Sequence, residues 1–182
     1  LLAFIVTPEW LVAMQVGDGF MVVRAEGGDY ELLFQPDKGE FANETTPVTA
    51  SDALQEMQVC LKLIPYKFIC VTTDGIENIS LVKPENWKPF AQFFRPLEQH
   101  MLSTLSLEQK EKKLDDFLHS EKISQSTDDD TTLLLGVYQD SEPSKAEDRG
   151  QRAEGTYPDN PSLVGKGIQK LFGFGGKGMI RS

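Results

Sequence analysis

The most informative segment of this chain is Phe68-Ile69-Cys70-Val71-Thr72-Thr73-Asp74-Gly75-Ile76-Glu77-Asn78. It consists of an apolar run followed directly by an acidic turn. Two further stretches have the same character: Val16-Gly17-Asp18-Gly19 lies between apolar runs, and Thr127-Asp128-Asp129-Asp130-Thr131-Thr132 precedes another. Carboxylates at the ends of several strands can converge on one point, where they repel one another unless a cation lies between them. The three turns therefore predict a metal site.

The apolar runs around these turns predict β-strands. Alternating or continuous apolar residues, separated by Gly, Pro and Asp, are typical of strands and tight turns. We expect strands at residues 2–6, 10–16, 20–25, 30–34, 57–63, 67–72 and 131–138. The two- and three-residue breaks among the first four favour antiparallel hairpins, including one at residues 17–19. These four strands are therefore expected to form a β-meander.

Between residues 78 and 131 the apolar spacing becomes helical. Residues 86–103 carry aromatic and aliphatic side chains three and four apart, although Pro96 is expected to kink or divide this helix. Residues 107–119 form a second predicted helix, with Ser106 and Gln109 as a capping box. Hairpin strands followed by two helices and a last strand indicate an α+β fold with antiparallel sheets.

Composition excludes some classes of function. The chain has 182 residues and a formal net charge of −10, whereas non-specific nucleic-acid binding needs a basic surface. No apolar run approaches the ~20 residues of a membrane helix. The two cysteines, Cys60 and Cys70, lie in apolar runs and are expected to be buried small hydrophobes. We therefore expect a cytoplasmic, monomeric protein that does not bind nucleic acid.

The chain changes character after residue 138. Residues 139–162 are rich in Asp, Glu, Ser and Pro and are expected to form a flexible polar linker. Residues 163–182 are basic and rich in Gly, with apolar residues in a loosely helical order. Two interpretations remain open: a disordered tail, which we favour, or a short amphipathic helix that contacts an anionic membrane or a partner.

The donor chemistry of the turns points to a hard cation. Oxygen-only ligands select Mg²⁺ or Mn²⁺, and a pair of such ions can activate water for attack on a phosphate. The Gly after Asp18 and the Gly after Asp74 are expected to leave room for water or phosphate. A single Asp-Gly is a common turn dipeptide, so the inference rests on the three turns together.

The chain resembles the second half to two-thirds of a metal-dependent serine/threonine protein phosphatase of the 2C type. Four segments carry the resemblance: residues 15–19, 69–76, 128–133, and Gly39-Glu40-Phe41-Ala42-Asn43-Glu44-Thr45, which is similar to a bacterial subgroup. It covers residues 1–138. It implies an αββα sandwich, with two antiparallel sheets flanked by helices, here lacking its N-terminal strands.

The resemblance also implies roles for individual residues. Asp74, with the adjoining Gly75, and Asp129 match the residues that bind a central pair of Mg²⁺ or Mn²⁺ ions. Asp18 matches an aspartate of an accessory site for a third ion. Asn78 stands where many members have another aspartate, and an amide is a weaker ligand. The implied activity is hydrolysis of phosphoserine or phosphothreonine in a phosphorylated protein substrate, by water that the ions activate.

Two functional elements of the family are absent from the chain. The Asp-Gly pair that bridges the metals and the Arg that binds the phosphate lie upstream of the matching segments in the family. We therefore expect a fragment with little activity of its own, with exposed sheet edges and apolar faces. Two alternatives remain: a catalytically weak regulatory module that binds phosphoproteins, and an acidic α+β domain whose Asp-Gly turns are only turns.

Overall fold

A computed structural model describes residues 1–36, 47–82 and 87–139, together with the backbone of residues 168–175. These residues contain ten strands: β1 (Leu2–Val6), β2 (Leu11–Gln15), β3 (Phe20–Ala25), β4 (Tyr30–Leu32), β5 (Gln58–Lys62), β6 (Tyr66–Thr72), β7 (Leu81–Val82), β8 (Lys88–Pro89), β9 (Thr131–Tyr138) and β10 (Ile168–Gly175). The helices are α1 (Glu77–Ser80), α2 (Ala91–Leu102), α3 (Leu107–Leu118) and α4 (Glu121–Ser124), and Asp74–Ile76 forms a 3₁₀ turn.

The strands form two principal antiparallel sheets. The small sheet has the order β1-β2-β5, and the large sheet has the order β10-β9-β6-β3-β4. Strands β7 and β8 pair separately as a short ribbon. Every strand pair is antiparallel, which confirms the predicted α+β class.

The large sheet is buried on both faces. Alternate residues of β3 show this. Phe20 and Val22 pack in the core with α2 and α3. Met21 and Val23 pack in the core shared with the small sheet. A strand between two layers needs apolar residues at every position, which explains its continuous apolar run. Phe94 of α2 is fully buried in the helical layer, as its place in the helical spacing of apolar residues indicates.

The outer face of the small sheet is apolar and exposed. Its solvent-facing positions include Ile5, Val59 and Leu61, whose side chains are 62%, 59% and 60% exposed. Within the described part of the chain, no helix makes extensive contact with β1, β2 or β5. The expected exposed apolar face is therefore present. A sheet with one face in water normally carries polar residues there.

The predicted hairpin at residues 17–19 is wrong. Strand β2 pairs with β1 and β5 in the small sheet, whereas β3 pairs with β4 and β6 in the large one. Gly17 has φ of +94°, a conformation that suits glycine and redirects the chain from one sheet to the other. The length of a break does not reveal whether its flanking strands pair edge to edge or stack face to face. The meander is broken at this turn.

The first predicted helix is shorter than expected and is not divided. It begins at Ala91, because Lys88–Pro89 pairs with Leu81–Val82 as a strand. Pro96 lies inside α2, where its missing N–H would have reached the carbonyl of Gln92. Both residues are exposed, so water can satisfy that carbonyl. Helix α3 and the capping box of Ser106 with Gln109 are confirmed.

Both interpretations of the tail, the favoured disordered segment and the amphipathic helix, are wrong over residues 168–175. These residues form β10, which pairs along the whole length of β9 from Tyr138 to Thr131. Strand β9 would otherwise leave an open row of backbone groups, and glycines at positions 173 and 175 disfavour a helix. The linker at 140–162, the rest of the tail and the segment at 39–45 lie outside the described residues.

Candidate metal centre

The three acidic turns lie side by side at one end of the large sheet. Strand β3 starts at Phe20 opposite Thr72, where β6 ends, and Thr72 also pairs with Leu133 near the start of β9. In antiparallel neighbours, the start of one strand lies beside the end of the next. The turns that carry Asp18, Asp74 and Asp129 are therefore brought to the same end of three adjacent strands.

Thr73 connects the second turn to the third. Its backbone N–H donates to the carbonyl of Thr132 at 3.3 Å, and its hydroxyl donates to the carbonyl of Asp130 at 3.3 Å. The same hydroxyl accepts a hydrogen bond from the backbone N–H of Thr132 at 3.0 Å. Three hydrogen bonds thus fix the backbone before Asp74 against the backbone after Asp129.

The glycines after the aspartates serve close packing between turns. A Cβ at Gly75 would lie 2.8 Å from Cγ2 of Thr131 and 2.9 Å from the carbonyl oxygen of Asp130. A Cβ at Gly19 would lie 2.8 Å from the carbonyl oxygen of Thr72. Both distances are shorter than ordinary van der Waals contact. The expectation that these glycines leave room for water or phosphate is therefore corrected, since neighbouring backbone occupies that space.

Asp74 lies in a partly buried environment among other negative charges. Burial raises the pKa of Asp74, and the negative charges of Asp18, Asp129 and Glu77 raise this pKa further. Asp74 and Asp18 are half-buried, whereas Asp129 is exposed. A cation at this point would relieve the repulsion, because it favours the charged form of every neighbouring carboxylate.

The described acids suit a hard cation in chemistry but supply only part of its coordination shell. Their ligand atoms are carboxylate oxygens, which Mg²⁺ and Mn²⁺ prefer. Nevertheless, no group of three or more His, Cys, Asp or Glu residues lies close enough to hold a metal ion within the described part of the chain. An ion at this site would need water or further protein ligands, as Mg²⁺ sites commonly do.

Sequence reasoning missed two residues of this region. Glu77 is only 3% exposed and lies close enough to Asp74 to raise its pKa. Its spacing gave a usable signal, since residues three apart share a face of a helical turn. Gln15 is fully buried, and its Nε2 donates to the carbonyl of Gly17 at 3.2 Å, which supports the turn of Asp18. Asn78, which the resemblance placed near an accessory ion, is exposed.

Comparisons with known proteins identify the family of this chain. The family model described as Protein phosphatase 2C matches residues 1–119, which include the turns of Asp18 and Asp74 but not Asp129. Serine/threonine-protein phosphatase 3 of Escherichia coli (strain K12) is 31% identical over 139 residues, which cover 75% of this chain and 54% of that protein. The chain therefore spans about half the length of this curated relative.

No solved structure matches the chain significantly. Within the described residues, no helix is both long and apolar enough to cross a membrane. The family match extends over more than half of the chain, and the three turns stand together at the end of adjacent strands. This chain belongs to the protein phosphatase 2C family.

Proposed function

We propose that the chain is part of a protein serine/threonine phosphatase and supplies some of the ligands of its metal site. The observation that carries the proposal is the convergence of three acidic turns at one end of the large sheet, where burial and then the charges of Asp18 and Asp129 raise the pKa of Asp74. The relative, a serine/threonine-protein phosphatase by name, supports a phosphorylated protein as the substrate. Because the chain spans about half of that relative, the activity belongs to a complete domain.

In this proposal, Asp74 and Asp129 hold a central pair of Mg²⁺ or Mn²⁺ ions, and Asp18 holds a third. Gly75 keeps the turn of Asp74 against the start of β9, and Thr73 fixes the two backbones with its hydrogen bonds. The bound ions supply the positive charge that lowers the pKa of an attacking water and neutralises phosphate oxygens. The exposed side of Asp129 leaves this end of the sheet open to a protein substrate.

The test joins this chain to the part of the E. coli relative that the alignment leaves uncovered. We expect the chimera to hydrolyse a phosphothreonine peptide with Mn²⁺ and to lose this activity on chelation. Asp74→Asn should abolish turnover, whereas Asp116→Asn, an equal charge change on the exposed face of α3, should not. A folded but inactive chimera, or equal activity in the two variants, would contradict the proposal.

The isolated chain should show little activity. Within the described residues, no three acidic side chains lie close enough together to hold an ion, so the central ions lack a complete set of protein ligands. Robust, chelator-sensitive turnover by these 182 residues alone would show that this expectation is wrong. The measurement is phosphate release in the presence of Mn²⁺, with the Asp74→Asn variant as the background.

A second candidate function is a catalytically weak module that binds phosphoproteins. The incomplete acid cluster and the neutral Asn78 at the edge of the site favour it. This candidate predicts that the chimera binds a phosphothreonine peptide with Mn²⁺ but releases no phosphate. Isothermal calorimetry on the same chimera distinguishes the two functions.

A further inference from the structure

A groove of about 360 Å³ lies between α2 and α3, and nothing in the proposed phosphatase chemistry uses it. Its apolar walls come from Phe93 and Leu97 of α2 and from Leu114 and Phe117 of α3. Phe93 and Phe117 are only half-buried, with their ring centroids 6.0 Å apart, so both aromatic rings remain accessible from outside. An apolar groove of this size between two helices can accept a bulky side chain.

The charges around this groove are unusual for such an acidic chain. Lys113 and Lys122 line it, and no Asp or Glu does, although the chain carries a net charge of −10. Both lysines are exposed, and neither forms an ion pair with any residue that the structure describes. The ring of His100 is held by the backbone carbonyl of Lys110 at 3.0 Å and serves as part of the wall.

We propose that this groove binds an acidic peptide segment of a partner protein. One bulky apolar side chain of the peptide packs against the accessible edges of Phe93 and Phe117, and flanking carboxylates pair with Lys113 and Lys122. The two lysines belong to different helices, so a peptide with acids on either side of an apolar residue engages both. Such charge complementarity selects partners and accelerates their association, while the apolar contact supplies most of the affinity.

The test uses the full 182-residue chain and a fluorescein-labelled dodecapeptide in which one Leu and one Phe are set among Glu residues. Fluorescence anisotropy should show saturable binding of this peptide. The matched peptide with Lys in place of Glu should not bind. The Lys113→Glu/Lys122→Glu variant should weaken binding about tenfold. The control is Lys88→Glu/Lys112→Glu, which makes the same change in net charge at exposed sites outside the groove and should bind like the wild type.

Circular dichroism establishes that both variants keep the wild-type fold, and amide chemical shifts locate the binding site. With the wild-type chain, the acidic peptide should shift resonances of α2 and α3. Absence of binding up to about 1 mM peptide, the weak end of the affinity range, would overturn the proposal. Equal binding by the two lysine variants, or chemical-shift changes confined to the acidic turns, would also overturn it. Binding of decanoate in the groove without binding of the peptide would also overturn it, since it would indicate a small-molecule site.

Discussion

Replacing Gly75 by alanine should destabilise the protein by crowding the contact between two acidic turns. The added Cβ would lie 2.8 Å from Cγ2 of Thr131 and 2.9 Å from the carbonyl oxygen of Asp130. The carbonyl belongs to backbone that Thr73 holds by hydrogen bonds, so it cannot rotate away as a side chain would. Overpacking of this kind typically costs about 1–3 kcal/mol.

Urea unfolding followed by far-UV circular dichroism measures this cost. With a slope of about 2 kcal/mol/M, the Gly75→Ala midpoint should fall by about 0.5–1.5 M. Gly28→Ala is the matched control, because its nearest neighbour, the carbonyl oxygen of Ala25, would lie 3.5 Å from the new Cβ. It should change the unfolding free energy by less than about 0.5 kcal/mol, as most surface substitutions do.

A double variant separates the two clashes. Thr131→Ser keeps the hydroxyl but removes Cγ2, so Gly75→Ala/Thr131→Ser should recover part of the lost stability relative to Thr131→Ser alone. The carbonyl of Asp130 remains, and recovery should therefore be incomplete. A Gly75→Ala protein that unfolds within about 0.5 kcal/mol of the wild type would refute the close packing of the turns.

Three further predictions follow from other parts of the fold. The pKa of Asp74 is raised in the folded state, so ionisation of Asp74 destabilises the fold as the pH rises through that pKa. In differential scanning calorimetry at pH 7 with a chelator, Asp74→Asn should therefore melt at a higher temperature than the wild type. With excess Mn²⁺, the wild type should melt at the higher temperature. Tyr30→Phe should cost about 1–3 kcal/mol in urea unfolding, because its hydroxyl donates to the carboxylate of the buried Glu98 at 2.7 Å; no change would contradict that bond. Val59→Thr/Leu61→Thr should raise the concentration at which the chain begins to aggregate, measured by light scattering, because both side chains lie on the exposed apolar face of the small sheet; aggregation at the same concentration as the wild type would contradict this.

The strands were predictable because their apolar runs are bounded by strong turn residues. Leu2–Val6, Phe20–Ala25 and Thr131–Tyr138 have the predicted bounds, and α3 begins after its predicted capping residue, Ser106. These signals are local, so one sequence is enough to detect them. The pairing of strands depends on contacts between distant segments, and the turn at Gly17 was misread for that reason.

The sequence predicted which turns form the candidate site. Asp18, Asp74 and Asp129 lie at the ends of neighbouring strands, as inferred from their positions after or before apolar runs. The close packing at Gly75 was not foreseen, because the contact with Thr131 joins residues 56 positions apart and leaves no local signal. The spacing of Glu77 from Asp74 was a usable signal, but its burial depends on how the 3₁₀ turn at Asp74–Ile76 packs in the fold.

The most direct test of the central claim is a titration of the ¹⁵N-labelled chain with Mn²⁺, which broadens nearby amide resonances. The amides around Asp18, Asp74 and Asp129 should broaden together at the lowest metal concentrations, and Asp74→Asn should remove the broadening from all three turns. The exposed pair Asp115 and Asp116 on α3 is an internal control and should respond only at higher concentrations. Broadening confined to one turn, or equal broadening at Asp115 and Asp116, would contradict a shared metal site.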